Sequence, residues 1–499
     1  MRKTLSIVLS IVMVLSLAVV GISAAEATEI KTAEEFAAMA ADGNYKLAAD
    51  IAIDASYATA FTGTFDGDGH TVTVSVPAFS TITGATISNL TIKGTVSGTG
   101  NTGALAATGN GGFKITNVTN NADVSSSGES AYVGGLVGAV STGSATADSY
   151  AYNEFTNCTN NGKISAGSMT PRVGGIAGNN AKYAYTTYTN CVNNGALTVA
   201  QIDDVTALTG SPYLGGISAS TFGGKYVNCI NKGNITSSIA AHGGGIVGRT
   251  SPSSQKADQS VIIESCTNEG SVTANSGGIG GIIGYGGTKF TDDAHGTYTV
   301  TKCVNKGNIT IDSDSGNAGG IVGYVYGQSY TEGKKIYQYA ILTDCVNYGT
   351  VTSKGAYTSQ LIGYTNAVST TVTGCVGLGK IVNTSADKSV VVGLSSADIQ
   401  KYNYSNNILV ENDGTSMYSY AADETNAANR VAIADRPAGT VEFKSAADCQ
   451  TAVAALGTIG YVAPSSPVTP STGDNAVWFA LAGIVALLGT AVAAKKENA

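Results

Sequence analysis

Short apolar stretches alternate with glycine and asparagine along most of the chain. One unit contains Tyr226-Val227-Asn228-Cys229, Asn234-Ile235-Thr236-Ser237 and Gly245-Ile246-Val247-Gly248. Short runs that are rich in Val, Ile and Thr and bounded by Asn and Gly are typical of β-strands. The pattern therefore predicts three short strands in each unit.

The unit recurs through two sequence boxes. The first box reads Cys-x-Asn-x-Gly-x-(Ile/Val/Leu)-(Ser/Thr), and the second, about ten residues later, reads Gly-Gly-Ile-Val-Gly. A fixed period in this range indicates a solenoid, a propeller or another repeat array. The first box begins, at intervals of 30 to 42 residues, at Cys158, Cys191, Cys229, Cys266, Cys303, Cys345 and Cys375.

Three strands per period fit one coil of a parallel β-helix. A coil of this size cannot bury its own apolar side, so successive coils must stack on one another. We therefore predict an all-β fold, a right-handed parallel β-helix with short capping helices at both ends. The apolar residue six positions after each cysteine should form a core column, and the asparagine two positions after it should hydrogen-bond along the axis. The Asn and Gly of the first box should supply left-handed corners.

The cysteines are predicted to be buried packing residues. Leu90 and Val118 occupy the same slot in upstream units, and free cysteine behaves as a small hydrophobe. Disulfides and a metal site are the weaker alternatives, because the chain has no C-x₂-C pair of the kind that zinc sites use. We accordingly predict no metal and no cofactor.

The ends of the chain differ from the repeats. Arg2 and Lys3, an apolar run to Val20 and small residues around Ala25 and Ala27 are typical of a secretory signal, with an uncleaved anchor as the alternative. The predicted boundaries are 1–27 for the signal peptide, 28–59 for an N-terminal cap, 60–410 for the β-helix, 411–461 for a C-terminal cap region, 462–473 for a Pro/Ser linker and sorting motif, and 474–499 for a hydrophobic span and basic tail.

Both caps are predicted to contain a helix. Thr32 to Glu35 form a capping box, followed by a helix with Phe36, Met39 and Ala40 on one face. Ser445 to Leu456 show helical spacing of apolar residues and are followed by a glycine.

The C-terminal tail resembles the sortase sorting signal of Gram-positive bacteria, Leu-Pro-x-Thr-Gly before an apolar span and a basic end. Pro470, Thr472 and Gly473 match that pattern, whereas Thr469 stands where leucine is usual. The resemblance implies cleavage after Thr472, attachment to peptidoglycan and a position on the cell wall, with sortase and peptidoglycan as partners. The membrane would be contacted only through the signal and the tail, and a permanent membrane anchor is the alternative.

The second box resembles the signature of GLUG repeats, which occur in bacterial surface proteins and in some IgA-protease-like proteins. The box is spelled out at Gly135-Leu136-Val137-Gly138, and the stretch from Phe61 to His70 is also similar to that group. The protease branch of the family carries a His-Glu-x-x-His zinc motif. The three histidines of this chain, His70, His242 and His295, do not lie in such a motif, so peptidase activity is not expected.

The charged residues suggest no catalytic pair. The net charge of −8 argues against nucleic acid as a partner. Asp66, Asp68 and His70 lie in an Asp-Gly-Asp-Gly-His stretch, for which acid/base or calcium chemistry is the alternative, but Asp-Gly-Asp-Gly is ordinary turn sequence. Adjacent units place no two acids at matching positions, as a glycoside-cleaving β-helix would require. We therefore expect a chain that is not an enzyme, with a β-helix polysaccharide lyase or hydrolase as the alternative.

Tyrosine-rich insertions after the second box indicate a binding face. Insertions confined to one face of a solenoid often mark its binding side, and tyrosine provides amphipathic contact area. We predict an adhesin-like surface protein that binds a glycan or a host or matrix protein. A structural wall spacer, in which these tyrosines only shield coil edges, remains open. The predicted face contains Tyr183, Tyr185, Tyr188, Tyr324, Tyr326 and Tyr330.

Overall fold

A computed structural model shows the chain wound into stacked coils whose strands pair in parallel with the equivalent strands of the coils before and after. The predicted parallel β-helix is thus confirmed. The structure describes residues 26–128, 130–146, 148–167, 170–200, 212–252, 260–287, 297–326, 340–354, 357–365, 370–373, 375–377, 379–383, 392–394, 403–405, 407–412, 417–422 and 441–443.

Each regular coil contains five short strands rather than three. In the coil around Cys229 they are Gly224–Val227, Ile230–Asn231, Ile235–Ser237, His242–Gly244 and Val247–Thr250. The prediction that the second box forms one strand is wrong. The box straddles a bend between the fourth and fifth strands, because its glycines allow two backbone segments to approach closely.

The strands of one kind stack into columns. The first strands are Ala151–Thr156, Ala184–Thr189, Gly224–Val227, Val261–Glu264, Tyr298–Thr301, Ala340–Thr343, Thr370–Thr373 and Asn403–Ser405. The second strands are Thr159–Asn160, Val192–Asn193, Ile230–Asn231, Thr267–Asn268, Val304–Asn305, Val346–Asn347, Val376–Gly377 and Asn407–Asn412. The third strands are Asp123–Ser126, Ile164–Gly167, Leu197–Ala200, Ile235–Ser237, Val272–Ala274, Ile309–Ile311, Val351–Ser353 and Ile381–Asn383.

Two further columns form separate parallel sheets. The fourth strands are Thr102–Gly103, Tyr132–Gly134, Arg172–Gly174, Tyr213–Gly215, His242–Gly244, Gly278–Gly280, Asn317–Gly319 and Tyr357–Ser359. The fifth strands are Phe79–Thr83, Ala106–Asn110, Val137–Val140, Ala177–Asn180, Ser218–Thr221, Val247–Thr250, Ile283–Gly287, Val322–Tyr326, Ile362–Thr365 and Val392–Leu394. Two longer strands, Thr86–Gly98 and Lys114–Asn120, run through several of the earlier positions of their coils.

The N-terminal residues begin the stack and cover its end. The strands Thr28–Ile30, Asn44–Leu47, Ile51–Ile53, Thr64–Asp66 and Thr71–Val74 already pair in parallel with neighbouring coils.

Helix α1 spans Ala33–Ala37 with the predicted capping box, in which the Thr32 hydroxyl accepts from the Glu35 N–H at 3.2 Å. Phe36 and Met39 are buried, whereas Ala40 is exposed, contrary to the prediction. The Phe36 ring packs on the rings of Phe65 and Phe79 at 5.7 and 5.4 Å between centroids.

The parallel stack gives way to antiparallel pairing near its C-terminal end. Asn407–Asn412 pairs in parallel with Val376–Gly377 and antiparallel with Met417–Ala422, which in turn pairs with Val441–Phe443. The predicted helix at 445–456, the signal peptide up to residue 25, and the linker, sorting motif and tail all lie outside the described residues.

Apolar columns fill the interior. The residue six positions after each cysteine is aligned from coil to coil, as Leu197, Ile235 and Val272 show. The seven box cysteines are buried free thiols, which confirms their packing role, and Val118 and Leu90 continue their column. Burial raises the pKa of the Cys158 thiol well above its ordinary range, so this sulfur stays protonated.

A buried asparagine ladder runs beside the cysteines. Each side-chain amide donates to a carbonyl two residues on in its own coil and to the asparagine of the next coil. These hydrogen bonds between asparagines of successive coils continue from Asn120 to Asn347, and each is 2.7 to 2.8 Å long. The next coil has Gly377 in the asparagine position. Instead of an asparagine of that coil, Gln360 Oε1 accepts the hydrogen bond from Asn347 at 2.8 Å. Gln360 belongs to the second box of the same coil as Asn347, and the ladder ends at this bond.

The left-handed corners lie one residue before the cysteine slot, not at the Asn and Gly of the first box. Asn157, Asn190 and Asn228 each have φ 53°, and Lys302 has φ 54° at the same position. The box glycines are required for close approach instead. A Cβ at Gly233 would lie 1.9 Å from the carbonyl oxygen of Gly195 in the neighbouring coil.

Candidate functional site

An aromatic and cationic strip runs along the outer side of the fourth and fifth strands. Each side chain in it is partly exposed, and each contacts at least one other member. We call this strip the ridge. It consists of Tyr132, Arg172, Tyr213, His242, Arg249, Tyr285, Tyr324, Tyr326, Tyr357 and Tyr364.

The bend of the second box brings the ridge together. One row of ridge side chains lies two residues before the first glycine of each second box. The other row lies one residue after the last position of the box, and Tyr326, two residues further on, contacts Tyr285 and Tyr324 of that row. The two flanking strands approach so closely that a Cβ at Gly244 would lie 2.0 Å from the carbonyl oxygen of Val247. Parallel register then repeats both rows in every coil, as Arg172 opposite Tyr213 and Arg249 opposite Tyr285 illustrate.

Two arginines occupy the N-terminal half of the ridge. The Arg172 guanidinium lies 4.8 Å from the Tyr132 ring centroid and 5.6 Å from that of Tyr213, and it donates to Asn179 Oδ1 at 2.5 Å. The Arg249 guanidinium lies 5.0 Å from the Tyr213 ring and donates to the Tyr213 hydroxyl at 2.8 Å. Tyr213 therefore contacts both cations, in an arrangement that favours cation–π attraction.

His242 lies between the arginines and the tyrosines. Its ring stacks on Tyr213 at 5.8 Å and lies 4.7 Å from Tyr285, while its Nδ1 accepts a hydrogen bond from the Gly278 N–H at 3.0 Å. Burial, reinforced by the charge of Arg249, lowers the pKa of His242 from 6.5 to about 4. At neutral pH the ring is thus uncharged, and its Nε2–H is a hydrogen-bond donor.

Tyrosines form the C-terminal half of the ridge. The Tyr285 and Tyr324 rings lie 5.3 Å apart between centroids, the Tyr324 and Tyr364 rings 5.3 Å apart, and the Tyr364 and Tyr357 rings 4.3 Å apart. Burial raises the pKa of Tyr285 to about 12, so its hydroxyl stays protonated. The rings present apolar faces with polar tips, which suits contact with sugars or with protein side chains.

The structure separates the tyrosines that the sequence had grouped. Tyr324 and Tyr326 lie on the ridge, whereas Tyr183 and Tyr185 pair with Tyr150 and Tyr152 on another part of the coils. Tyr330 and the sorting residues Pro470, Thr472 and Gly473 lie outside the described residues.

Tyr188 does not belong to an exposed face. Its side chain is fully buried between the rings of Phe155 and Tyr226, at 5.0 and 4.8 Å. Its hydroxyl donates to Asn180 Oδ1 at 2.8 Å, which satisfies the polar end of the ring inside the core. The assignment of Tyr188 to a ligand face is therefore corrected.

The ridge had a sequence signal that the tyrosine counts obscured. Tyr132, Arg172, Tyr213 and His242 all stand two residues before the first glycine of a second box. Alignment of the boxes would have placed them in one outward row, since parallel register repeats each position from coil to coil. The clusters of tyrosine in the insertions were easier to recognise in the sequence, but their members lie on different parts of the coil and do not form one face.

The acidic stretch near residue 66 is a structural turn. The Asp66 carboxylate accepts from the Asp68 N–H and from Asn89 Nδ2, both at 3.0 Å. Asp68 forms an exposed ion pair with Lys46 at 2.9 Å, and His70 contacts Asp50 at 3.2 Å. Within the ranges that the structure describes, no group of three His, Cys, Asp or Glu side chains is arranged to hold a metal ion.

A hydroxyl-lined groove of about 420 Å³ lies over the third strands. Its lining includes Ser97, Ser125, Ser165 and Thr198, and the Ser97 and Ser125 hydroxyls lie 3.0 Å apart. The lining has no charged side chain and no aromatic ring, so the ridge is the more specific candidate for recognition.

These features define the class of the chain as a repeat solenoid of the parallel β-helix type with an aromatic ridge along one side. No family model and no curated protein matches the sequence. Among solved structures, the chain is similar to a Bacteroides ovatus protein provisionally named an immunoglobulin A1 protease, with 16% identity and a TM-score of 0.38 over 67% of this chain and 86% of that one.

A second similar structure is named IgA1 protease. The match has 18% identity and a TM-score of 0.33, and it covers 67% of this chain but 20% of that protein. The names of the two proteins contradict our expectation that the chain is not an enzyme, and that expectation is withdrawn.

Proposed function

We propose that this chain is a bacterial surface protein that binds an extended ligand, a glycan or a host or matrix protein, through the ridge. The observation that carries the proposal is the unbroken series of ring and guanidinium contacts from Tyr132 to Tyr364. Tyrosine and arginine are among the residue types that most often dominate binding energy at interfaces.

Rigidity of the ridge supports the same proposal. Its side chains stand on paired strands whose inward neighbours, such as Val173, Leu214 and Ile279, are buried. A binding site on a rigid scaffold loses little conformational entropy when the ligand docks. The ridge also crosses many coils, so a ligand that follows the axis gains contacts from each of them.

Substitution of ridge tyrosines tests the binding role. In the double variant Tyr285→Ala/Tyr324→Ala, binding to glycan arrays and matrix-protein panels should weaken by about tenfold or more, because two adjacent rings are lost. The matched control is Tyr152→Ala, whose side chain is 50% exposed and lies on a first strand. Equal binding by the double variant and the unaltered chain to every ligand would contradict the proposal.

We further propose that the mature chain is joined to the cell wall by a sortase acting at Pro470, Thr472 and Gly473. The support comes from the sequence, in which the motif precedes an uncharged stretch and a lysine pair. Among the described residues no helix is long and apolar enough to cross a membrane, and the tail is not among them.

Tryptophan fluorescence provides the test of anchoring. Trp478 is the only tryptophan of the chain and follows the proposed cleavage point after Thr472. Protein released from the wall by muralytic enzymes should therefore show tyrosine emission without tryptophan emission. Tryptophan emission from that material, with the full C-terminal peptide seen by mass spectrometry, would contradict sortase processing.

A further inference from the structure

The charge of the ridge differs in sign from that of the whole chain. The chain carries a net charge of −8, but the ridge contains two arginines and no Asp or Glu. Neither arginine takes part in an ion pair with a described residue. Two guanidinium groups that have no carboxylate partner among the described residues, on an otherwise acidic protein, point to an anionic ligand.

The hydrogen bonds of the arginines leave donors available. Arg172 Nη1 donates to an asparagine oxygen, and Arg249 Nη1 donates to the Tyr213 hydroxyl. The Nε–H of Arg249 is buried, and no described residue accepts a hydrogen bond from it. A guanidinium has five N–H donors in a planar fork that matches a carboxylate, and a buried donor without a partner costs free energy until a ligand satisfies it.

The spacing of the cations matches a polymer that repeats along the axis. Arg172 aligns with Tyr213 of the next coil, and Tyr213 aligns with His242 of the coil that contains Arg249. The two guanidinium groups thus lie two coils apart, roughly 10 Å along the axis, with the Tyr213 ring between them. An extended chain of sugar acids presents carboxylates at regular steps between apolar ring faces.

We infer that Arg172, Tyr213 and Arg249 form a subsite for the carboxylates of a linear acidic polysaccharide, whose sugar rings continue over Tyr285, Tyr324 and Tyr364. This inference rests on the proposed function of the ridge and specifies its ligand. The Arg249 fork binds one carboxylate and the Arg172 fork another, while the Nε2–H of His242 donates to a sugar oxygen. The tyrosine half then provides stacking contacts that do not depend on charge.

Paired polymers test the inference directly. Polygalacturonate, alginate and hyaluronan are each compared with their carboxyl-methylated forms by calorimetry and affinity electrophoresis, using the full chain. At least one acidic polymer should bind about tenfold or more tighter than its ester, and its affinity should fall with added salt. If no acidic polymer binds better than its ester, the inference is overturned.

Matched variants assign the charge effect to the ridge. Arg172→Gln/Arg249→Gln should lose that preference for the acidic polymer while keeping the affinity for the ester. The control Lys225→Gln removes a cation from a first strand, where Lys225 pairs with Glu264 at 3.7 Å, and should bind as the unaltered chain does. A double arginine variant that keeps the preference overturns the inference. The variant Tyr285→Ala/Tyr324→Ala tests the proposed function separately. If this variant loses binding to the ester, the proposed function is supported even where the arginine result overturns the inference. If it keeps binding to the ester, the proposed function is contradicted.

Discussion

Each buried asparagine of the ladder serves its own coil and the next one. Asn193 donates to the Gly195 carbonyl and to Asn231 Oδ1, both at 2.8 Å, and accepts from Asn160 at 2.7 Å. Its neighbour in sequence, Asn194, is exposed and donates to Asn161 at 2.7 Å. The two residues have the same chemistry and differ in their access to water.

Removing the buried amide should therefore cost far more than removing the exposed one. In Asn193→Ala the Asn160 amide loses one buried acceptor and Asn231 Oδ1 loses its buried donor, which should reduce local stability by about 3 kcal/mol. In Asn194→Ala water replaces the lost bond, and the change should stay within about 0.5 kcal/mol. Hydrogen exchange of the amides at 192–193 and 230–231 measures both; similar effects of the two variants would contradict this account.

His242 gives the ridge a defined pH response. Because its folded-state pKa lies near 4 and its ordinary value is 6.5, the unfolded chain binds the proton first as pH falls. The folded state should then lose about 3 kcal/mol as the pH falls from 6.5 to 4, and little more from this residue at lower pH. Well above pH 6.5 the ring is neutral in both states and contributes no pH dependence.

The variant His242→Asn isolates that response. An asparagine oxygen can accept from the Gly278 N–H in place of Nδ1, but the side chain does not titrate. The difference in unfolding free energy between the two proteins, measured by urea denaturation from pH 7 to pH 4, cancels the contribution of other groups. A difference that does not change with pH would show that His242 is not the source.

At the scale of the element, the second box is the feature on which the ridge depends. Its glycines allow the fourth and fifth strands to lie against each other, and a Cβ at Gly244 would lie 2.0 Å from Val247 O and 2.6 Å from Gly284 N. Both are backbone atoms, which cannot move aside as a side chain can. At the adjacent Gly243 a Cβ would meet only side-chain atoms of Val272 and Ile279, at 3.0 and 3.3 Å.

Alanine at these two neighbouring positions should therefore behave differently. Gly244→Ala should reduce the free energy of unfolding by about 3 kcal/mol, since the bend must open. Gly243→Ala should change it by less than about 1 kcal/mol, because Leu214 and Ala318 occupy the same column in other coils. Chemical denaturation followed by circular dichroism compares them, and equal losses would contradict the proposed role of the bend.

The same box marks where prediction from the sequence failed. A run such as Gly-Gly-Ile-Val-Gly has the apolar content of a strand, and its conformation depends on backbone contacts with neighbouring coils that a single unit does not contain. The left-handed residue before each cysteine was missed for a similar reason. Asn, Ser, Lys and Asp all occupy that position, so residue type alone does not reveal the corner.

For the whole molecule, periodicity was sufficient to predict the stack. Cysteine, asparagine and the apolar residue at the sixth position recur in every regular coil, and each forms the column expected of it. The ridge was not predicted from residue type, because its positions change identity from Arg172 to Tyr213 to His242. Only alignment of the second boxes, or the fold itself, places these unlike residues in one row.

The constant register has a consequence for how such a chain changes length. Cys229, Cys266 and Cys303 are separated by 37 residues each, and the asparagines beside them are joined by the same bond. If one such segment were lost or gained, the asparagines on either side of the change would form the same hydrogen bond with a new but equivalent partner. The packing of the interior would stay the same. The length of the stack can therefore change by duplication or deletion of whole units, one coil at a time.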